Sequence, residues 1–324
     1  MPAEAPTSFA NRYRRSASLT WHTGAGLLLA LLCVGCATTA PLDEARLFAK
    51  AFNAVDGASQ PLLDDLASAE RTQGKDNAVT KAETAAYTGD CKGIRWAEPG
   101  FIEGFCLDDA PYFAEIGDPP DTRAFRQGIR LLGEYTEVLL ILAEGRNLDE
   151  ASAQVQAFGE QIATLISLAP VAAPVGPALT GALGALQPVI RDAAQAKNVE
   201  EMKRLVLAGA PHVRKLIEEL RKAAPEVFNT IIYQSVKGVT SSAALDNETV
   251  RKGYLDRIAV YRVAVSNYVV LLGELERTFD QLVAAFQRPR NAVSLAELAQ
   301  RSAQLTVHAE AWRRVYSQLR TGNQ

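Results

Sequence analysis

The sequence predicts an all-α protein: a multi-helix bundle with a long C-terminal antiparallel helical hairpin and an irregular loop closed by a disulfide. Three observations predict it. Aromatic residues make up only 7% of the 324 residues and alanine is abundant. That mixture favours closely packed helices over a β-sandwich, which calls for Val, Ile, Thr and aromatic side chains. From Asp121 onward, apolar residues recur at helical spacing almost without interruption. Near the C-terminus, a seam of apolar residues repeats every three and four positions over a long stretch.

The chain opens with a leader. Arg12, Arg14 and Arg15 precede an apolar run from Gly24 to Val34, and Gly35 and Cys36 follow. A charged start, a short apolar core and a small residue before the cut are the layout of a secretory signal peptide. The run is about 11 residues, where a spanning helix needs about 20. Its last four residues, Cys33-Val34-Gly35-Cys36, resemble the lipobox of bacterial lipoproteins. A cut before Cys33 would leave bulky Leu32 ahead of the cysteine, so Cys36 is the site. The resemblance implies cleavage before Cys36 and fatty acylation, palmitate included, of its thiol and new amino group. Ala37 follows, where Asp would signal retention at the inner membrane. That resembles sorting to the outer membrane, with the body facing the periplasm. One acyl chain binds only marginally, at about 0.8 kcal/mol per buried methylene, so several on one residue give an effectively permanent anchor.

Residues 1–35 are thus expected to be removed. The leader has a net charge of +2 and the whole chain −3, so the mature part is −5. A mildly acidic product argues against nucleic-acid binding, which needs clustered positive charge. After Cys33 leaves and Cys36 is acylated, Cys91 and Cys106 remain. In an oxidising compartment they are expected to form a disulfide. Closing a loop of this size contributes about 3 kcal/mol on the chain-entropy model. A metal site would need further ligands. His212 and His308 each stand far from a second His or Cys, so no metal and no cofactor is expected.

Residues 36–42 read as a tether, 43–120 as N-terminal helices plus the disulfide loop, and 121–324 as a helical bundle that can be continuous with them. In 43–86 the apolar positions are Leu47, Phe48, Phe52, Leu62, Leu63 and Leu66, with a break expected near Gly57. Residues 87–121 carry Gly89, Gly93, Pro99, Gly100, Gly104, Pro111, Gly117, Pro119 and Pro120. Turn residues at that density predict an irregular loop or short hairpin. Asp121 or Thr122 can cap a helix through Glu144, with Ile129, Leu132, Leu139 and Leu140 inward. Asn147 can cap the next helix. Asn198 can cap one carrying Met202, Leu205, Val206, Val213, Leu216, Ile217 and Leu220, which Pro211 kinks or ends. A further helix is expected from Pro225 to Val239.

The best-defined element runs from about Asn247 to Gln287. Tyr254, Ile258, Tyr261, Val265, Tyr268, Leu272, Leu275, Phe279, Leu282 and Phe286 form its seam, about 60 Å long at 1.5 Å per residue. Gln287 to Asn291 breaks it. Leu295, Leu298, Ser302, Leu305, Ala309, Trp312, Tyr316 and Leu319 form a second seam. Folding about the break sets Phe279 near Ser302, Leu272 near Ala309 and Tyr268 near Trp312, so that large residues face small ones at two layers.

Residues 161–190 contain no charged residue. Ile162, Leu165 and Ile166 lie before Pro170, Pro174 and Pro177, and Leu179, Leu183 and Leu186 lie after them. Three readings compete: a hairpin buried on all sides, the lining of a cavity for a lipid or other hydrophobic ligand, or a membrane-inserting hairpin, for which each half is short.

Catalytic constellations are missing. There is no GxSxG elbow, HExxH, phosphate loop or dinucleotide glycine pattern. Asp108-Asp109 and Glu218-Glu219 are neighbours that point apart on a helix, so they read as solvated surface. His308 reads as a half-buried helix histidine and His212 as surface. Sequence thus predicts no enzyme. It predicts a structural or adaptor protein of the cell envelope with an envelope protein as partner, or alternatively a hydrophobic-ligand carrier or a membrane-active bundle.

Overall fold

The computed structural model describes residues 41–83, 106–168, 176–287 and 292–322, and among them the chain is helical, with no strand. The leader, Cys36 and Cys91 lie outside the described residues. The helices are α1 (Leu42–Glu83), α2 (Ala110–Phe113, after a 3-10 turn at Leu107–Asp109), α3 (Pro120–Glu144) and α4 (Leu148–Leu168). They continue with α5 (Gly176–Ala194), α6 (Val199–Ala208), α7 (Ala210–Lys222), α8 (Ala224–Val239), α9 (Ser242–Leu245), α10 (Glu248–Gln287) and α11 (Ala292–Gly322). Residues Ala40–Gln324 form one compact unit.

The expected break near Gly57 does not occur. Helix α1 runs straight through Gly57 and Pro61. An interior proline costs a helix about 3 kcal/mol. Burial offsets that cost, because Val55, Ala58, Leu62, Leu63 and Leu66 are all at most 2% exposed, and each buried aliphatic side chain contributes about 1.5–3 kcal/mol. Tertiary packing overrides the local signal here.

Capping explains most other boundaries. The Asn147 side chain accepts the Glu150 N–H at 2.9 Å, and that of Asn198 accepts the Glu201 N–H at 2.8 Å. Pro211 stands in the first turn of α7 and divides it from α6 at Gly209. Gly145, at φ 67°, ends α3 in the left-handed conformation that glycine adopts without strain. The start of α3 corrects the expectation. Neither Asp121 nor Thr122 is its cap; both lie inside the first turn. Glu70 of α1 takes the capping role across space, as described below.

The core is continuous from α1 to α11. At its centre Phe279 of α10 meets Phe48 of α1 and Tyr135 of α3, each at 5.9 Å between ring centroids, and Tyr135 meets Phe158 of α4 at 6.0 Å. The Tyr135 hydroxyl donates to the Val206 carbonyl at 2.8 Å, so its polar end is satisfied where it is buried. Helix α10 is long and apolar enough to cross a membrane by length and composition. One face of it, including Tyr268, Leu271, Leu272, Leu275, Phe279, Leu282 and Phe286, is buried in the bundle, while Val263 and Val270 are exposed.

The two C-terminal seams do not zip only to each other. Tyr268 of α10 packs on Trp312 of α11 at 6.1 Å, but α11 also runs along α1. Asp65 of α1 accepts the Tyr316 hydroxyl at 2.5 Å and the Tyr261 hydroxyl at 3.4 Å. The seams therefore serve a three-helix contact, because α1 carries an apolar face as long as theirs.

Candidate functional site

The six apolar residues singled out in 161–190 belong to the core. Ile162 and Leu186 are at most 1% exposed, Leu179 and Leu183 at most 5%, and Leu165 and Ile166 are half-buried against it. Burial on all sides is overturned, however. Helices α4 and α5 pack on α3, α6 and α7 and leave an outer side where Thr164, Ser167, Gly181, Gly184 and Ala185 are exposed. Among the described residues, that outer side offers no large apolar residue to a bilayer. The described outer residues are small or polar but uncharged, so absence of charge does not here mean that every face is covered.

Other expectations shift as well. Asp109 is buried rather than solvated, at 6% exposure. His308 is exposed, not half-buried, and pairs with Glu274 at 2.9 Å. Glu218 and Glu219 are half-buried rather than fully solvated, and Lys215 and Lys222 hold both carboxylates below the usual range. Cys106 is buried; its expected partner, Cys91, lies outside the described residues.

The most elaborate polar feature is a groove between α1 and α3, a cavity of about 530 Å³. Sequence reasoning missed it, since it joins residues some 70 positions apart. Helix α3 contributes Arg123, Arg126, Gln127, Arg130, Glu134 and Glu137. Arg123, Arg130 and Glu137 are seven apart and so share one stripe of the helix. Asn53, Asp56 and Gln60 of α1 form the facing wall, with Phe52 at the floor. A side chain at Gly133 would press on the Phe52 ring at 3.0 Å, so the glycine keeps that stretch open. Arg126 is held by hydrogen bonds to Asp64 and Gln60 and by an ion pair with Asp118 at 3.0 Å, although its Nε has no hydrogen-bond partner. Arg123 donates only to the Asp118 carbonyl, at 2.8 Å. Arg130 meets only Glu134, at 4.0 Å, and its side chain is 73% exposed. The groove therefore contains both fixed and uncommitted charges.

Beside the groove lies a buried carboxyl junction. Glu70, 5% exposed, accepts the backbone N–H groups of Asp121 and Thr122, each at 2.9 Å, and the Thr122 hydroxyl at 2.9 Å. Burial nevertheless raises its pKa, against those bonds and nearby Arg71. Asp121 is pushed up to about 6, first by burial and then by the charges of Glu70 and Glu226. Its Oδ1 is buried without a hydrogen-bond partner.

A second cleft, of about 580 Å³, lies between Leu47 of α1 and Leu295, Ala296 and Ala299 of α11, flanked by Arg46 and Lys50. No cluster of His, Cys, Asp and Glu suited to a metal occurs among the described residues. No family model, no curated protein and no solved structure matches this chain.

Proposed function

We propose that this is a lipid-anchored outer-membrane protein, facing the periplasm, with a non-enzymatic structural or adaptor role in the cell envelope. The lipobox-like Cys33-Val34-Gly35-Cys36 supports the anchor, and α1 begins only a few residues beyond it, at Leu42. The observation that carries the adaptor role is the use of the uncharged segment. Its described large residues are spent on packing, while the groove between α1 and α3 is polar and charged. The expected Cys91–Cys106 disulfide and the antiparallel pairing of α10 with α11 belong to the same proposal.

Fractionation of the host envelope tests it. Wild-type protein should sediment with outer membranes. Cys36→Ser should leave the protein unacylated and shift it out of that fraction. An unchanged distribution of the variant would refute the lipid anchor. Thiol counting under denaturing conditions should find no free Cys91 or Cys106, and cysteines placed at Leu272 and Ala309 should cross-link.

The carrier reading keeps one support, the apolar cleft at Leu47 and Leu295. It is thereby moved from residues 161–190 to the α1–α11 contact. Native mass spectrometry of purified protein would show a co-purifying lipid if this cleft is a carrier site.

A further inference from the structure

We propose that the α1–α3 groove is a binding site for a short zwitterionic peptide in extended conformation. The inference does not depend on the lipid anchor. Along α3 the charges are ordered: Arg123 and Arg130 stand toward its start, Glu134 and Glu137 toward its end, while the groove's other carboxylates are already engaged, Asp56 by the Gln60 amide at 2.6 Å and Asp118 by Arg126 at 3.0 Å. A ligand with a carboxylate at one end and an ammonium at the other matches that order. A ligand of a single charge would meet a like-charged group at one end.

The spacing sets its length. Arg130 and Glu137 are seven residues apart on one stripe of α3, which is about 10.5 Å at 1.5 Å per residue. Three extended residues span about 10 Å. One amino acid is too short to reach both. The cavity, about 530 Å³, lies in the range of small-ligand sites, roughly 300–1,000 Å³.

The available groups suit the task. Arg123 and Arg130 have donors left over, since Arg123 makes one hydrogen bond and Arg130 only a long contact to Glu134. Glu137 makes no ion pair among the described residues, and Asn53 and Gln127 are likewise uncommitted. Amides on both walls can serve the peptide N–H and C=O groups, while Phe52 at the floor offers an apolar contact to a small side chain. Arg126, locked by Asp64 and Asp118, fixes the wall without competing for the ligand.

The test is calorimetric titration of the full-length protein in detergent with trialanine, N-acetyl-trialanine, trialanine amide and free alanine. Trialanine should bind saturably. Capping either end should weaken binding roughly tenfold or more, the size expected for one charge-assisted hydrogen bond. Alanine should bind more weakly than trialanine. In Arg130→Gln the penalty for amidation should shrink, and in Glu137→Gln the penalty for acetylation. Both positions are exposed on α3, and an unchanged melting curve will show that the fold is intact. The proposal is overturned if trialanine shows no saturable binding at millimolar concentration. It is equally overturned if capping has no effect, or if neither substitution alters the response to capping.

Discussion

The Glu70 carboxylate accepts both the backbone N–H and the hydroxyl of Thr122, each at 2.9 Å, from a helix 52 residues away in sequence. A helix start leaves several N–H groups without partners, and an acceptor in the first turn, anionic above all, suits them. Pro119 and Pro120 begin α3 and offer no side-chain cap of their own. Glu70 therefore joins α1 to α3 while completing the helix start. Glu70→Ala should lower stability by about 2–4 kcal/mol, because three donors lose one buried acceptor. Urea denaturation of the two proteins checks this, and a difference below about 0.5 kcal/mol would show that water replaces the carboxylate.

The neighbouring carboxyl gives a pH signature. Asp121 titrates near 6 in the folded protein against about 3.8 when free, so the folded state binds its proton more tightly. Its burden on stability is full above the folded pKa and disappears as pH falls through that value toward the unfolded one. Glu70, also raised, acts in the same direction. Glu226 opposes ionisation of Asp121, and Tyr112 stays protonated throughout, raised by burial. Asp121→Asn should therefore stabilise the protein most at about pH 7.5, roughly half as much at about pH 5, and hardly at all at about pH 3.5. A Tm difference that widens toward acid would contradict the assignment.

Much of the fold was legible because it is written in local periodicity. The start of α10, expected at Asn247, lies at Glu248, and its end at Gln287 agrees. Asn147 and Asn198 were legible as caps because capping acts within three residues. Partner choice was not legible in the same way. The seam of α11 says that it is apolar on one face, not that α1 shares that face with α10. Continuity of α1 through Pro61 depends on neighbours that only the folded bundle supplies. The groove was hidden for the same reason. Arg123, Arg130 and Glu137 look like ordinary surface charges until α1 places Asn53, Asp56 and Phe52 opposite them.

Asp65 offers a test of the three-helix contact. It accepts hydroxyls from Tyr316 of α11 and Tyr261 of α10, and Tyr316 is only 1% exposed. Tyr316→Phe should cost about 1.5–3 kcal/mol, the range for a hydrogen bond to a charged group. Asp65→Ala should cost at least as much, and the double variant less than the sum of the two, since both remove the same bond. Strict additivity in denaturant unfolding would show that the bond contributes nothing in solution.

The segment after the 3-10 turn is fastened to α1 by a close approach at Gly74. Arg71 holds the carbonyls of Ala114 and Gly117, and Tyr112 lies over the glycine. A Cβ at position 74 would stand 2.2 Å from Tyr112 Cγ and 2.8 Å from its Cβ. Rotating the ring cannot relieve the second contact, so the backbone of α2 must lift. Two effects then compete in Gly74→Ala. Alanine favours an interior helical position by about 1 kcal/mol, while overpacking costs about 1–3 kcal/mol. Contact with an atom so near the Tyr112 backbone favours the upper part of that range, so the variant should be less stable than wild type. In a Tyr112→Ala background most of the clash is removed and the helical preference is left. There the same substitution should stabilise by up to about 1 kcal/mol. That reversal of sign, read from urea midpoints of the four proteins, separates steric packing from a general intolerance of the position. A destabilisation of equal size in both backgrounds would show that Tyr112 is not the cause.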